Sequence, residues 1–247
     1  MRAYQIVTDT NSDLPQSYVK EHGLVQIPQY YSIGDAVYEG SAGPAPAEFY
    51  RLMREGTMPQ SQAVNPAVAE EKFRAILDAG KDILYVSFSS ALSGSCDIVR
   101  MVAKQLKEEA YPDAVIEIVD SLCVSLGEGL LVNKALQMQE AGKSLEEVKA
   151  WLEEHAAHLC VKFTVDDLFH LQRGGRVSKA TAVVGSVLNL KPVLKLTAEG
   201  KLEAAGTVRG RKKSLLALVD YMAEKMPGYE ALNDMVAVVH GDCLADA

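Results

Sequence analysis

The stretch Ile83–Asp97, with the sequence ILYVSFSSALSGSCD, decides the fold. Its opening segment, Ile83–Phe88, is an apolar run rich in β-forming side chains, which predicts a buried strand of a parallel sheet. A hydroxyl-rich loop, residues 89–95, follows, and a helical pattern opens at Cys96. Such a loop exposes amide groups and the positive end of a helix dipole, where an anion is stabilised. We therefore expect an anion site here; the alternative is that Ser93 or Ser95 only caps the helix.

The segments around this stretch continue an alternation of strands and helices. Further strands are predicted at Tyr4–Thr8, Leu24–Ile33 and Ala114–Val119, and helices at Pro15–Gly23 (capped by Ser12 or Asp13), Pro46–Gly56, Ala67–Asp78, Leu126–Glu140 and, from a capping box at Ser144, to His158. The segment Thr57–Pro66 lacks periodicity and is predicted to be a loop. This alternation indicates a parallel sheet covered by helices on both faces.

The pattern changes after residue 160. A strand is predicted at Cys160–Val165, helices at Asp166–Leu171, Ser178–Asn189 and from the 209–213 segment to Met226, a hairpin of Lys191–Leu196 with Leu202–Val208, and a last strand at Met235–His240. We expect an α/β protein with an N-terminal parallel-sheet domain, 1–160, and a second α/β domain with a mixed sheet, 161–247. The second domain is expected to be incomplete, because residues 242–247 resemble the first turn of a helix.

The charge distribution is uneven. The net charge of the chain is −8, yet residues 171–213 contain ten basic and two acidic side chains. The overall charge disfavours general nucleic-acid affinity, although a nucleic-acid-binding regulator that uses this basic segment is one alternative. Arginines beside glycines in the segment RGGR at 173–176 favour recognition of phosphate or carboxylate.

Neither a cofactor nor a metal is expected. The four cysteines are scattered without metal-binding spacing, and we predict that they are buried thiols in the cytoplasm, since no signal peptide or membrane-spanning run is present. Gly127 and Gly129 form a G-x-G without the third glycine of a dinucleotide site. His155 and His158 lie one helical turn apart with no third ligand in view, so we interpret them as a surface pair.

Six motifs in chain order resemble those of the DegV family of bacterial fatty-acid-binding proteins. They are IVTDT at 6–10 with DLP at 13–15, SSALSGS at 89–95, DS at 120–121, LQRGGRVSK at 171–179, KPVL at 191–194 and VRGRKK at 208–213. The resemblance spans almost the entire chain. It implies a two-domain protein that holds one long-chain fatty acid, with the carboxylate at the domain junction and the tail in an apolar tunnel.

The resemblance also implies a partner and a set of site residues. Such proteins present the carboxylate to an ATP-dependent fatty-acid kinase, which forms an acyl phosphate, and they are not enzymes themselves. Ser93 would bind the carboxylate, with Ser95 beside it, and Arg173 and Arg209 would face the kinase and the phosphate. The family usually has Thr-Ser-Gln-Pro in a loop whose threonine binds the carboxylate. This chain has Gln60 and Ser61 at the corresponding positions, and we expect both to belong to the carboxylate site. The family also carries a histidine near the carboxylate in closing strands, to which no residue here corresponds.

An enzyme is the remaining alternative. In a serine hydrolase, Ser93 would be the nucleophile and would need a histidine base. The sequence has no G-x-S-x-G elbow, and His240 is the one histidine predicted at a strand end. Proximity of His240 to Ser93 would favour this alternative.

Overall fold

A computed structural model describes residues 2–40, 42–166, 168–178, 189–229 and 235–247. Its strands are β1 (Tyr4–Asp9), β2 (Val25–Ile27), β3 (Tyr30–Ile33), β4 (Ala36–Glu39), β5 (Gln60–Gln62), β6 (Asp82–Ser87), β7 (Ile116–Asp120), β8 (Lys162–Thr164), β9 (Leu190–Leu196) and β10 (Leu202–Arg209). Its α-helices are α1 (Gln16–Glu21), α2 (Pro46–Arg54), α3 (Pro66–Asp78), α4 (Ser95–Glu109), α5 (Leu126–Glu140), α6 (Leu145–His155), α7 (Phe169–Arg173) and α8 (Arg211–Lys225). None of these helices is long and apolar enough to cross a membrane.

The central sheet has the strand order β2-β1-β6-β7, and every pairing in it is parallel. All residues of β6 are buried, because side chains of a strand alternate between two faces and both faces are covered. Leu84 and Val86 face a core built with α5 and α6, whereas Ile83 and Tyr85 face a core built with α3 and α4. The predicted α/β class and the buried parallel strand are confirmed.

A small antiparallel sheet, β4-β3-β5, lies beside the central one. The prediction of one strand over Leu24–Ile33 was wrong, because the chain leaves the central sheet at Pro28 and Gln29 and enters β3. The prediction that Thr57–Pro66 is only a loop was also wrong: Gln60–Gln62 pairs with β3. This strand has three exposed polar residues, so no apolar alternation marks it in the sequence.

The C-terminal part forms a sheet of order β10-β9-β8. The predicted hairpin is confirmed, and the described strands of this sheet all pair antiparallel, so they do not include the parallel pairing of the expected mixed sheet. Helix α8 packs beside it, with Lys162 Nζ 3.7 Å from the centre of the Tyr221 ring. The helix predicted from Ser178 falls on residues 179–188, outside the described residues. The strand predicted at Met235–His240 is absent; these residues have no regular structure and are exposed.

Local capping follows the sequence in one helix and departs from it in another. Ser144 and Glu147 form the predicted capping box of α6. Neither Ser12 nor Asp13 caps α1: Asp13 is left-handed, with φ of 51°, and Pro15 is the residue that precedes the helix. Cysteine burial is also divided, since Cys96 and Cys123 are buried but Cys160 is exposed and Cys243 is partly exposed.

Candidate functional site

The hydroxyl-rich loop, residues 89–95, lies at the carboxyl ends of β1, β6 and β7. The Asp9 carboxylate accepts the Phe88 amide at 3.1 Å, and Asp120 accepts the amide of Ser90 at 3.2 Å. The Ser89 amide donates to the carbonyl of Cys123 at 3.0 Å. Acidic side chains from the neighbouring strands, and a backbone carbonyl from the segment after β7, therefore fix the beginning of the loop, at the edge of the sheet where open α/β proteins bind ligands.

Ser93 and Ser95 are directly connected at the end of this loop. Their hydroxyl oxygens are 2.9 Å apart, and the Ser95 amide donates to Ser93 Oγ at 3.3 Å. Ser95 is fully buried, whereas Ser93 is half-buried. The residue at the helix N-cap is Gly94, which has no side chain to cap with. Ser93 thus receives one amide of the first turn, but it is not the N-cap residue of α4.

Two further groups bind Ser95. Gln29 Nε2 donates to Ser95 Oγ at 2.8 Å, and the Val64 amide donates to it at 3.2 Å. A serine hydroxyl accepts two hydrogen bonds and donates one, so the Ser95 proton is left for Ser93 Oγ. Ser93 then accepts from the hydroxyl and the amide of Ser95, which fills its own acceptor positions. Among the described groups nothing accepts the Ser93 proton, which is therefore available to a further acceptor.

Gln60 and Ser61 reach this network only through their neighbours. Both lie in β5 with exposed side chains, and the segment joins the hydroxyl loop at Val64, two residues beyond the strand. The structure therefore brings together Ser93 and Ser95 of the predicted carboxylate residues, and it connects the Gln60–Ser61 segment to them by a backbone amide. Sequence reasoning missed Gln29, a buried polar residue whose only signal was its position in an apolar extended run.

A cleft of about 710 Å³ lies beside the hydroxyl loop. It is lined by Ala91 and Leu92 of that loop, by residues 174–178 and by residues 201–204 of the β9–β10 hairpin. Arg176 also lines the cleft, and its Nε donates to the carbonyl of Leu92 at 3.2 Å. The walls are both apolar and charged, and ligand sites occupy about 300–1,000 Å³, so the cleft has the size of a small-molecule site.

Arg173 and Arg209 differ from Arg211 of the basic segment, which forms an ion pair. Both side chains are exposed, and neither forms an ion pair within the described residues. Arg211, two residues after Arg209, is instead bound to Asp246, with 2.9 Å between Nε and Oδ2. Arg173 ends α7, immediately before Gly174 of the cleft wall. The structure thus leaves the two predicted partner-facing arginines accessible.

A pair of buried acids underlies the loop. Asp9 accepts hydrogen bonds from the amides of Phe88 and Asn11 and from the Tyr85 hydroxyl, and its burial raises its pKa to about 6. Glu128 is fully buried at the start of α5, where burial and the nearby Asp9 raise its pKa well above the ordinary range. Thr8 donates to Glu128 Oε1 at 2.6 Å, and Oε2 has no hydrogen-bond partner among the described residues. The described residues contain no group of three or more His, Cys, Asp or Glu side chains arranged to hold a metal.

Comparison with known proteins gives consistent results. A family model described as "Uncharacterised protein, DegV family" matches residues 3–247. A DegV domain-containing protein of Clostridium perfringens is 39% identical over 249 residues, which cover 100% of this chain and 84% of that protein. A solved structure that reports fatty acid binding of a DegV family protein from Thermus thermophilus has a TM-score of 0.82 and 33% identity, and covers 92% of this chain and 79% of its own.

A third relative is similar in fold. The Streptococcus pneumoniae fatty acid kinase (Fak) B3 protein, solved with linoleic acid, has a TM-score of 0.75 and 24% identity, and the match covers 90% of this chain and 78% of that one. The family match extends over nearly the whole chain, and the similarity to the relative from Clostridium perfringens covers the entire length of this chain. The protein described here is therefore a member of the DegV family.

Proposed function

We propose that this protein binds one long-chain fatty acid, with the carboxylate at Ser93. The observation that carries the proposal is the hydroxyl of Ser93, a half-buried donor whose proton no described group accepts. Leu92, the residue before Ser93, lines the 710 Å³ cleft, so space of ligand size lies next to the loop that carries the donor. The fatty acid binding reported for the Thermus thermophilus relative, at 33% identity, supports the same ligand class.

The tail and the head group have different roles in this proposal. Each buried methylene contributes about 0.8 kcal/mol, so about fourteen of them contribute on the order of 11 kcal/mol before immobilisation costs. A hydrogen bond to a charged group contributes about 1.5–3 kcal/mol. The tail therefore sets most of the affinity, and the residues around the carboxylate set the orientation of the ligand. Ser93 makes the direct contact, Ser95 orients it, and the Gln60–Ser61 segment closes over the head group.

We further propose that the bound carboxylate is presented to an ATP-dependent fatty-acid kinase, which forms the acyl phosphate. The protein itself catalyses nothing and needs no cofactor, and it works in the cytoplasm. Arg173 and Arg209 support this part of the proposal because both are exposed and free of ion pairs within the described residues. The likeness in fold to the Fak B3 protein is compatible with it. The division into domains 1–160 and 161–247 is retained, with the carboxylate at their junction.

Lipid analysis of the purified protein tests the proposal directly. The protein is isolated from a bacterial host without detergent and studied by native mass spectrometry, and its extracted ligand is identified. We expect one fatty acid for each chain. Addition of fatty-acid kinase and ATP should then produce acyl phosphate. A protein that contains no lipid and does not take up a long-chain fatty acid after delipidation would disprove the binding function.

The arrangement around Ser93 does not favour a hydrolase. The described partners of its hydroxyl are the hydroxyl and amide of Ser95, whereas His240 is hydrogen-bonded to the amide of Cys243 at 3.3 Å. A nucleophilic serine needs a base that accepts its proton. We therefore expect that the purified protein does not hydrolyse fatty-acyl esters. Hydrolysis by the wild type that is lost in Ser93→Ala would instead support the hydrolase alternative.

A further inference from the structure

The donor character of Ser93 depends on the two groups that donate to Ser95. The Val64 amide can only donate, because a backbone N–H has no acceptor position. The Gln29 side chain can present either its NH2 group or its carbonyl oxygen, and it is the NH2 group that faces Ser95 at 2.8 Å. The side chain of Gln29 therefore decides in which direction the hydroxyls of Ser95 and Ser93 donate their protons.

The backbone of Gln29 is anchored on both sides. Its amide donates to Thr10 Oγ1 at 3.0 Å, and its carbonyl accepts the Gly40 amide at 2.7 Å. The residue is 7% exposed and lies between β2 and β3. These bonds restrict the movement of the backbone, and burial keeps the side chain beside Ser95.

We propose that Gln29 is a positioning residue that selects acidic ligands. By donating to Ser95, Gln29 commits the Ser95 proton to Ser93, and the Ser93 proton is then available only to an acceptor such as a carboxylate. If the side chain at position 29 accepted a hydrogen bond instead, the Ser95 hydroxyl would donate to it, and the Ser93 hydroxyl would donate to Ser95 Oγ. Ser93 would then offer the ligand a lone pair, which repels a carboxylate and accepts from an alcohol. This inference rests on the proposed fatty-acid binding and adds the residue that determines its head-group class.

The substitution Gln29→Glu tests this inference, because an ionised carboxylate can only accept. The affinities for palmitate and for hexadecanol are measured by calorimetry on the delipidated full chain at several pH values up to about 8.5, because burial at position 29 raises the pKa of a glutamate above its ordinary value of about 4.3 and only the ionised form is restricted to accepting. We expect the ratio of palmitate to hexadecanol affinity to fall about tenfold or more, as for loss of one hydrogen bond to a charged group. Gln29→Met, which removes the donor without adding an acceptor, should lower the ratio less.

Gln26→Glu is the matched control. Gln26 lies in β2, three residues before Gln29, and its side-chain amide donates to Ser12 rather than to Ser95. The ratio of palmitate to hexadecanol affinity in Gln26→Glu should therefore equal that of the wild type. A fall in the ratio in either Gln29 variant, absent from the control, supports the inference. Equal weakening of both ligands, or an unchanged ratio, in both Gln29 variants would overturn it. A wild-type protein that binds neither ligand would overturn the proposed function itself, so the two failures are distinguishable.

Discussion

Gly200 lies in direct contact with Ser89, so that the turn of the β9–β10 hairpin is attached to the carboxyl end of the central sheet. Ser89 Oγ donates to the Gly200 carbonyl at 2.9 Å. Gly200 has φ of +72°, and a Cβ atom there would lie 2.3 Å from Ser89 Oγ and 3.0 Å from Leu122 Cα. Only glycine tolerates both the positive φ and the lack of space for a Cβ atom. The contact holds residues 201–204, which line the cleft, close to the hydroxyl-rich loop.

Gly200→Ala should therefore destabilise the protein by about 2–5 kcal/mol, from a left-handed alanine together with overpacking. Gly142→Ala is the control, since Gly142 has φ of +80° but no atom within 4 Å of the added Cβ. We expect it to cost only about 1–2 kcal/mol. Urea denaturation measures both variants. Equal losses of stability would show that the contact with Ser89 is not tight.

Ser93→Ala should weaken fatty-acid binding by about tenfold to a hundredfold, because it removes a hydrogen bond to a charged group worth about 1.5–3 kcal/mol. Ser90→Ala serves as the control: the Ser90 side chain is exposed, and it is the backbone amide that binds Asp120. Fluorescence displacement of a bound fatty-acid analogue measures both affinities. Full affinity in Ser93→Ala would remove this serine from the head-group site and leave it a role only at the start of α4.

Arg173→Ala and Arg209→Ala should retain bound lipid but lose most acyl-phosphate formation when kinase and ATP are supplied. The reason is that both guanidinium groups are exposed and available to the partner. Arg100→Ala, an exposed arginine on α4 paired with Asp97 at 3.2 Å, should keep full activity in the same assay. Lipid loss in both site variants, detected by native mass spectrometry, would instead make them ligand-binding residues.

Glu128 should make the protein less stable as the pH rises. Its folded-state pKa lies well above the ordinary value, so the folded protein retains a proton that the unfolded chain releases near pH 4.3. The free energy of unfolding should therefore fall as pH increases from about 4. Asp9, with a pKa of about 6, contributes to the same fall up to that pH.

Glu128→Gln should reduce this pH dependence and be more stable than the wild type at neutral pH, since an amide carries no buried charge at any pH. Glu154→Gln is the control, since Glu154 is exposed, and its free energy of unfolding should depend on pH as that of the wild type does. Guanidinium titrations at several pH values measure the slopes. A slope in Glu128→Gln as steep as that of the wild type would show that Glu128 is not the titrating group.

The sequence predicted the parts of the fold that depend on local patterns. The strand at β6, the capping box at Ser144 and the β9–β10 hairpin all follow from periodicity or turn chemistry, and each is present in the structure. The strand β5 could not be predicted, because its pairing with β3 comes from residues about thirty positions away. The predicted strand at Met235–His240 failed for the converse reason: an apolar pattern forms a strand only where a neighbour supplies hydrogen bonds.

The candidate site was predictable in the same partial way. Ser93 and Ser95 were indicated because a hydroxyl loop between a strand and a helix is a local feature. Gln29 and Val64 were not, since each contacts Ser95 across more than thirty residues of sequence, and a buried glutamine has no signature of its own. Long-range hydrogen bonds between side chains depend on tertiary packing, which a single sequence does not display.

The small sheet β4-β3-β5 also joins the two donors of Ser95 in one structural unit. Gln29 directly precedes β3 and Val64 follows β5, so both donors to Ser95 arrive with one structural unit. Docking of that unit and orientation of the serine hydroxyls are consequently a single cooperative event, and each opening of the small sheet releases Ser95 from both donors at once. Amide hydrogen exchange at Val64 should therefore share its opening free energy with the amides of β3, and ligand should slow both to the same extent.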